Sequence, residues 1–102
     1  MRTARIALPR EREIWRIAQE AITNAERHAQ ASRLDVAWEC TRYQALLTVS
    51  DDGRGFSEDD ASRSDAYGLV GMRERADAIG ARLDVTSSSS GGTVVQCRVG
   101  AP

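Results

Sequence analysis

The sequence predicts an α+β fold of two layers, a mostly antiparallel sheet with helices on one face. Three observations carry this: an opening stretch with apolar residues at helical spacing, two pairs of alternating segments, and a second helical stretch between the pairs. Helix, two strands, helix, two strands is most simply satisfied when the strands form one layer and the helices cover one side of it. A chain of 102 residues can bury one hydrophobic core and no second one, so a single domain is expected.

From Pro9 to about Gln30, Ile14, Ile17, Ala18, Ala21, Ile22, Ala25 and Ala29 mark one face of a long helix, with Pro9 in the first turn, where proline is tolerated. Arg33 to Cys40 alternates through Leu34, Val36 and Trp38, and Gln44 to Ser50 carries Leu46, Leu47 and Val49. A short turn at Thr41 to Tyr43 makes the two a hairpin. Ser57 to Tyr67 is rich in Ser, Asp and Glu without apolar periodicity and reads as a mobile loop. Leu69, Met72, Ala76 and Ile79 then define a second helix, ended by Gly80 in the left-handed position past a C-terminus. Arg82 to Ser87 and Thr93 to Val99 form the last strand pair, joined through Ser88-Ser89-Ser90-Gly91-Gly92. Residues 1–8 read as a remnant of a preceding segment, and 9–102 as the domain.

Fourteen basic and fifteen acidic residues give a net charge of -1. No basic stripe is present for a phosphodiester backbone, so nucleic acid is not an expected partner. No apolar run reaches the roughly 20 residues of a membrane helix, and no signal-peptide core opens the chain. A soluble cytoplasmic domain without membrane contact is expected, whatever anchors the rest of the protein. Cys40 and Cys97 lack partner thiols or a histidine ligand set, and are read as reduced, half-buried strand residues.

Four short segments carry the chemistry. On the first helix Glu20, Asn24 and His28 are four residues apart and form one row along the flank of the apolar face. Asn is a poor interior helix former, and its neutral oxygen suits Mg²⁺ when phosphates and waters complete the shell. From the residues alone a solvated polar edge on an amphipathic helix is the better explanation of the row. Asp51-Asp52-Gly53-Arg54-Gly55 follows a strand, where the glycines permit a sharp turn and a close backbone approach; a plain turn uses the same letters. Gly68-Leu69-Val70-Gly71-Met72 opens the second helix and would offer unpaired N–H groups and a positive dipole end to an anion, although helix packing also explains such glycines. Gly92-Thr93 starts the last strand and by spacing alone is a hairpin glycine followed by a strand threonine.

Taken together and in this order, the segments resemble the nucleotide boxes of the superfamily of gyrase, Hsp90 chaperones, sensor histidine kinases and MutL, over residues from about 14 to 99. "RIAQEAITNAERHA" resembles the N-box of sensor histidine kinases, and "GLVGMRERA" is similar to the form of the glycine box in the nitrate/nitrite-sensor and DesK-like subclass. The resemblance implies a Bergerat-type sandwich with a mixed, mostly antiparallel sheet, binding ATP and Mg²⁺. It implies Asn24 as metal ligand, Glu20 near the metal or its waters, and His28 or Arg27 facing the phosphates. Asp51 would accept from the adenine amino group, with Gly53 and Gly55 admitting the nucleotide and Asp52 standing back from it. Gly68, Leu69, Gly71 and Met72 would form the phosphate-side box, and Thr93 would join the network around adenine. Ser57–Tyr67 would be a short lid over the ATP. Arg73 and Arg75 are read as solvated helix residues ahead of phosphate or docking contacts.

The activity implied is protein-histidine kinase catalysis within a two-component phosphorelay. His28, the only histidine, sits in the metal box. The γ-phosphate would therefore pass to a histidine on a separate dimerisation domain, and from there to a response regulator. The alternatives are an ATPase using Glu20 to activate water, a serine kinase of the anti-sigma-factor type, and a non-catalytic interaction module.

Overall fold

A computed structural model describes residues 8–27, 31–54, 68–88 and 91–100. Helix α1 spans Leu8–Arg27, strands β1 and β2 span Leu34–Cys40 and Gln44–Asp51, helix α2 spans Leu69–Ala78, and strands β3 and β4 span Arg82–Ser88 and Gly92–Gly100. The expected continuation of α1 to Gln30, His28, Gly55 and the Ser57–Tyr67 loop lie outside the described residues.

The four strands are ordered β1-β2-β4-β3, and each of the three pairings is antiparallel where the sequence reading allowed a mixed sheet. Alternation places Ala45, Leu47 and Val49 of β2 and Val95, Cys97 and Val99 of β4 on the helix side, all buried. Over them lies the apolar face of α1, whose Ile14, Ile17, Ala18, Ala21 and Ala25 are buried. Met72 and Ala76 of α2 complete the cluster, with Leu83 and Val85 of β3 packed at its margin.

Chain turns follow from local chemistry. The Thr41 hydroxyl accepts from the backbone N–H groups of Tyr43 and Gln44, both at 3.1 Å, which closes the β1–β2 turn. At the end of α2, Ala81 N–H donates to Ala76 C=O at 2.8 Å and Gly80 N–H to Asp77 C=O at 3.1 Å. This is a Schellman end, with Gly80 at φ 67° as the left-handed residue.

Two features differ from the sequence reading in degree. Cys97 is fully buried rather than half-buried, because its register opposite Leu47 sets it at the sheet centre under the helices. Burial pushes its thiol up to about 11. On the edge strand, Leu34 and Val36 face the helix side yet are 37% and 47% exposed, whereas Trp38 and Cys40 farther along β1 pack against the core. Trp15 packs against Trp38, with ring centroids 5.5 Å apart.

Candidate functional site

Arg16, Gln19, Glu20 and Thr23 recur at the i, i+3, i+4, i+7 spacing of a helical stripe, beside the apolar face of α1. Gly68, Gly71, Met72 and Arg75 form the matching stripe of α2. The two stripes are the walls of a groove of about 550 Å³. That volume lies within the range of small-molecule sites.

Gly68 begins α2 in the left-handed conformation, at φ 64°, with no side-chain cap on the helix. A Cβ at this position would also run into the Glu20 side chain, lying 2.7 Å from its Cγ. Backbone conformation and the Glu20 carboxylate therefore both select glycine. The partial positive charge at the N-terminus of α2 favours the neighbouring Glu20 carboxylate.

Gly71 behaves differently. A Cβ built on it meets nothing within 4 Å, so packing does not require a glycine. Its missing side chain keeps the groove wide where α2 begins. Met72 faces the groove but is almost fully buried and is mainly core. Leu69 packs against the core margin and is not part of the groove wall.

Asn24 lies one turn beyond Glu20 on α1, half-buried, with its Oδ1 shielded from solvent. Among the described residues no cluster of three His, Cys, Asp or Glu side chains could hold a metal. A cation here would depend on Asn24 and on oxygens brought by its ligand, which suits Mg²⁺ bound to phosphates.

The other half of the predicted site lies at one end of the sheet. Asp51 is paired with Thr93 across β2 and β4, and Thr93 with Ser87 across β4 and β3, so the three share one row. Asp51 Oδ1 accepts from Gly53 N–H at 2.9 Å, which fixes the carboxylate and the turn together. The hydroxyls of Thr93 and Ser87 are 2.8 Å apart, and Thr93 is buried. Gly92, at φ 80°, lies directly against the backbone carbonyl of Asp51, so a Cβ there would push that strand end away.

Asp52 has a separate task. Its carboxylate accepts from Ser32 N–H at 2.9 Å, Ser32 Oγ at 2.7 Å and Arg33 N–H at 2.8 Å, tying the end of β2 to the start of β1. The Ser32 hydroxyl, then the Arg33 N–H, hold its pKa below the ordinary carboxylate value.

The structure thus brings together Glu20, Gly68, Gly71 and Met72 in one groove, and Asp51, Gly53 and Thr93 at one sheet end. Sequence reasoning missed Arg16, Gln19, Thr23 and Arg75 as groove walls, and Ser87 as the partner of Thr93. Helical spacing from Glu20 would have found Arg16 and Thr23, and counting back through the last hairpin would have found Ser87.

A family model described as histidine kinase-, DNA gyrase B-, and HSP90-like ATPase matches residues 10–102. The sensor histidine kinase LiaS of Bacillus subtilis is 39% identical over 89 residues, covering 87% of this chain and 24% of LiaS. The signal transduction histidine-protein kinase/phosphatase DegS of the same organism is 32% identical over 97 residues, covering 93% of this chain and 25% of DegS. The chain therefore spans about a quarter of the length of these curated relatives. Among solved structures, the histidine kinase domain of the Erythrobacter litoralis EL346 blue-light activated histidine kinase superposes with a TM-score of 0.78 at 29% identity, covering 96% of this chain and 50% of that one.

Proposed function

This chain belongs to the histidine kinase-, DNA gyrase B-, and HSP90-like ATPase family, and from that premise we propose that it binds Mg²⁺-ATP and presents the γ-phosphate to a histidine on a separate dimerisation domain of a two-component sensor kinase. The observation that carries the reading is the groove between α1 and α2, lined by Glu20 on one wall and by Gly68 and Gly71 on the other. It sets the Asn-bearing helix across from the glycine-led start of α2, with open space between them for an extended ligand.

In this reading Asp51, fixed by Gly53, accepts from the adenine amino group, and the Thr93–Ser87 hydroxyl pair supports it from the next strand. The first-turn N–H groups of α2 receive the phosphates, and Gly71 leaves space for them. Asn24 would hold Mg²⁺ through Oδ1; bound there, the ion supplies charge neutralisation between the phosphates. Phosphoryl transfer depends mainly on positioning and charge stabilisation, so the domain need not supply the attacking nitrogen. The acceptor histidine, and the response regulator after it, belong to partner domains.

Titration with a fluorescent ATP analogue tests the reading. Binding is expected, weakened about tenfold or more by Asp51→Asn, which removes a carboxylate acceptor. Absent binding, or binding that the substitution leaves intact, refutes the nucleotide assignment.

A second reading is favoured by the position of Glu20 on the groove wall, where a carboxylate could activate water as an ATPase. Labelled ATP separates the two. Brisk phosphate release by the isolated chain, abolished by Glu20→Gln, supports hydrolysis over transfer.

A further inference from the structure

Two arginines stand on opposite walls of the groove, Arg16 on α1 and Arg75 on α2. Arg75 is held in place by Glu13, its Nη1 donating to Oε2 at 3.4 Å, so the cation stays beside the groove. Arg16 is exposed, and no described residue forms a hydrogen bond or ion pair with its guanidinium. Its position along α1 is informative. Asn24, Glu20 and Arg16 follow one another at intervals of four residues, about 6 Å of helix each.

We propose that Arg16 contacts the terminal phosphate of the bound nucleotide and, with Arg75 opposite, makes the site prefer nucleoside triphosphate to diphosphate. The inference rests on the nucleotide reading above. If Asn24 and the α2 N-terminus hold the inner end of the polyphosphate, a group one turn beyond Glu20 meets only its outer end. The charges agree with this. Glu20 on the same wall repels an incoming phosphate, and a guanidinium one turn away offsets that repulsion. Arginine also suits the task, because its planar fork can donate two parallel hydrogen bonds to phosphate oxygens.

The test is competition of Mg²⁺-ATP and, separately, Mg²⁺-ADP against a fluorescent nucleotide on the 102-residue chain, for wild type, Arg16→Gln and Arg16→Lys. Arg16→Gln is expected to weaken ATP about tenfold and ADP less than about twofold, with Arg16→Lys intermediate for ATP. Thermal melting of each variant is expected to match wild type, since the side chain is exposed. Equal loss for both nucleotides, or loss for neither, overturns the role of Arg16 while leaving the nucleotide site standing. A wild-type chain that binds neither nucleotide removes the underlying reading and this proposal with it.

Discussion

Replacing Gly71 with alanine should move stability and nucleotide affinity in opposite directions. Gly71 is the third residue of α2, its φ is not left-handed, and an added Cβ meets nothing within 4 Å. Alanine therefore introduces no clash and removes the conformational freedom that glycine contributes to the unfolded chain. The expected gain is about 0.5–1 kcal/mol, nearer the lower end because the position is in the first turn. The same methyl projects into the groove beside the first-turn N–H groups of α2. Holding a phosphate off those donors should cost about tenfold in ATP affinity, equivalent to about 1.4 kcal/mol. Urea denaturation measures the first quantity, and titration with a fluorescent ATP analogue the second. If Gly71→Ala destabilises the fold, the glycine serves packing; if it leaves ATP affinity unchanged, phosphates do not lie along this wall. Either result refutes the reasoning.

The remaining predictions test other parts of the account. Gly68→Ala should destabilise by about 2 kcal/mol, from the left-handed φ together with displacement of Glu20, and a Glu20→Ala background should recover only the second contribution, as read in a double-mutant cycle. Gly92→Ala meets immovable backbone at Asp51 and should both lower the melting temperature and weaken nucleotide binding, whereas a loss of stability alone would separate Asp51 from the site. The Asp52 carboxyl should titrate below 3.8 by NMR; because its folded pKa is depressed, its contribution is present above 3.8 and disappears as pH falls through the lower folded value, so wild type and Asp52→Asn should converge in stability in acid. Cys97 has the opposite sign: its folded pKa is raised, so its contribution is intact below pH 9.0 and is lost as pH rises through about 11. At pH 8 a thiol reagent should label the partly exposed Cys40 well before Cys97, and equal rates would contradict the burial.

Periodicity made most of the architecture legible. The apolar spacing of Ile14, Ile17, Ala18, Ala21 and Ala25 is a direct consequence of one helical face meeting the sheet, and Gly80 carries its left-handed conformation in its identity. Alternation identified the strands but not how far each is covered. Leu34 and Val36 follow the same pattern as buried Leu47 and Val49, yet β1 is the edge strand and α1 lies over the sheet centre. Strand order depends on which hairpins pair, and alternation does not encode that.

The candidate site was legible where one residue had to be one type. Asp51, Gly68 and Thr93 stand at positions where side-chain chemistry or backbone conformation leaves little choice. Residues acting through a neighbour were harder to see. Ser87 becomes significant only when the register sets it opposite Thr93, and Asp52 becomes a clasp only when the end of β2 returns to Ser32. Arg16 resembled any solvated helix residue until α2 was placed across from it.

The central claim, a Mg²⁺-ATP site with Asn24 as its metal ligand, is tested most directly by calorimetric titration of ATP at a series of Mg²⁺ concentrations into wild type and Asn24→Ala. The account predicts that Mg²⁺ strengthens ATP binding to wild type, that Asn24→Ala abolishes this enhancement, and that metal-free ATP binds both chains alike. An enhancement by Mg²⁺ that is the same size in the two chains would contradict it.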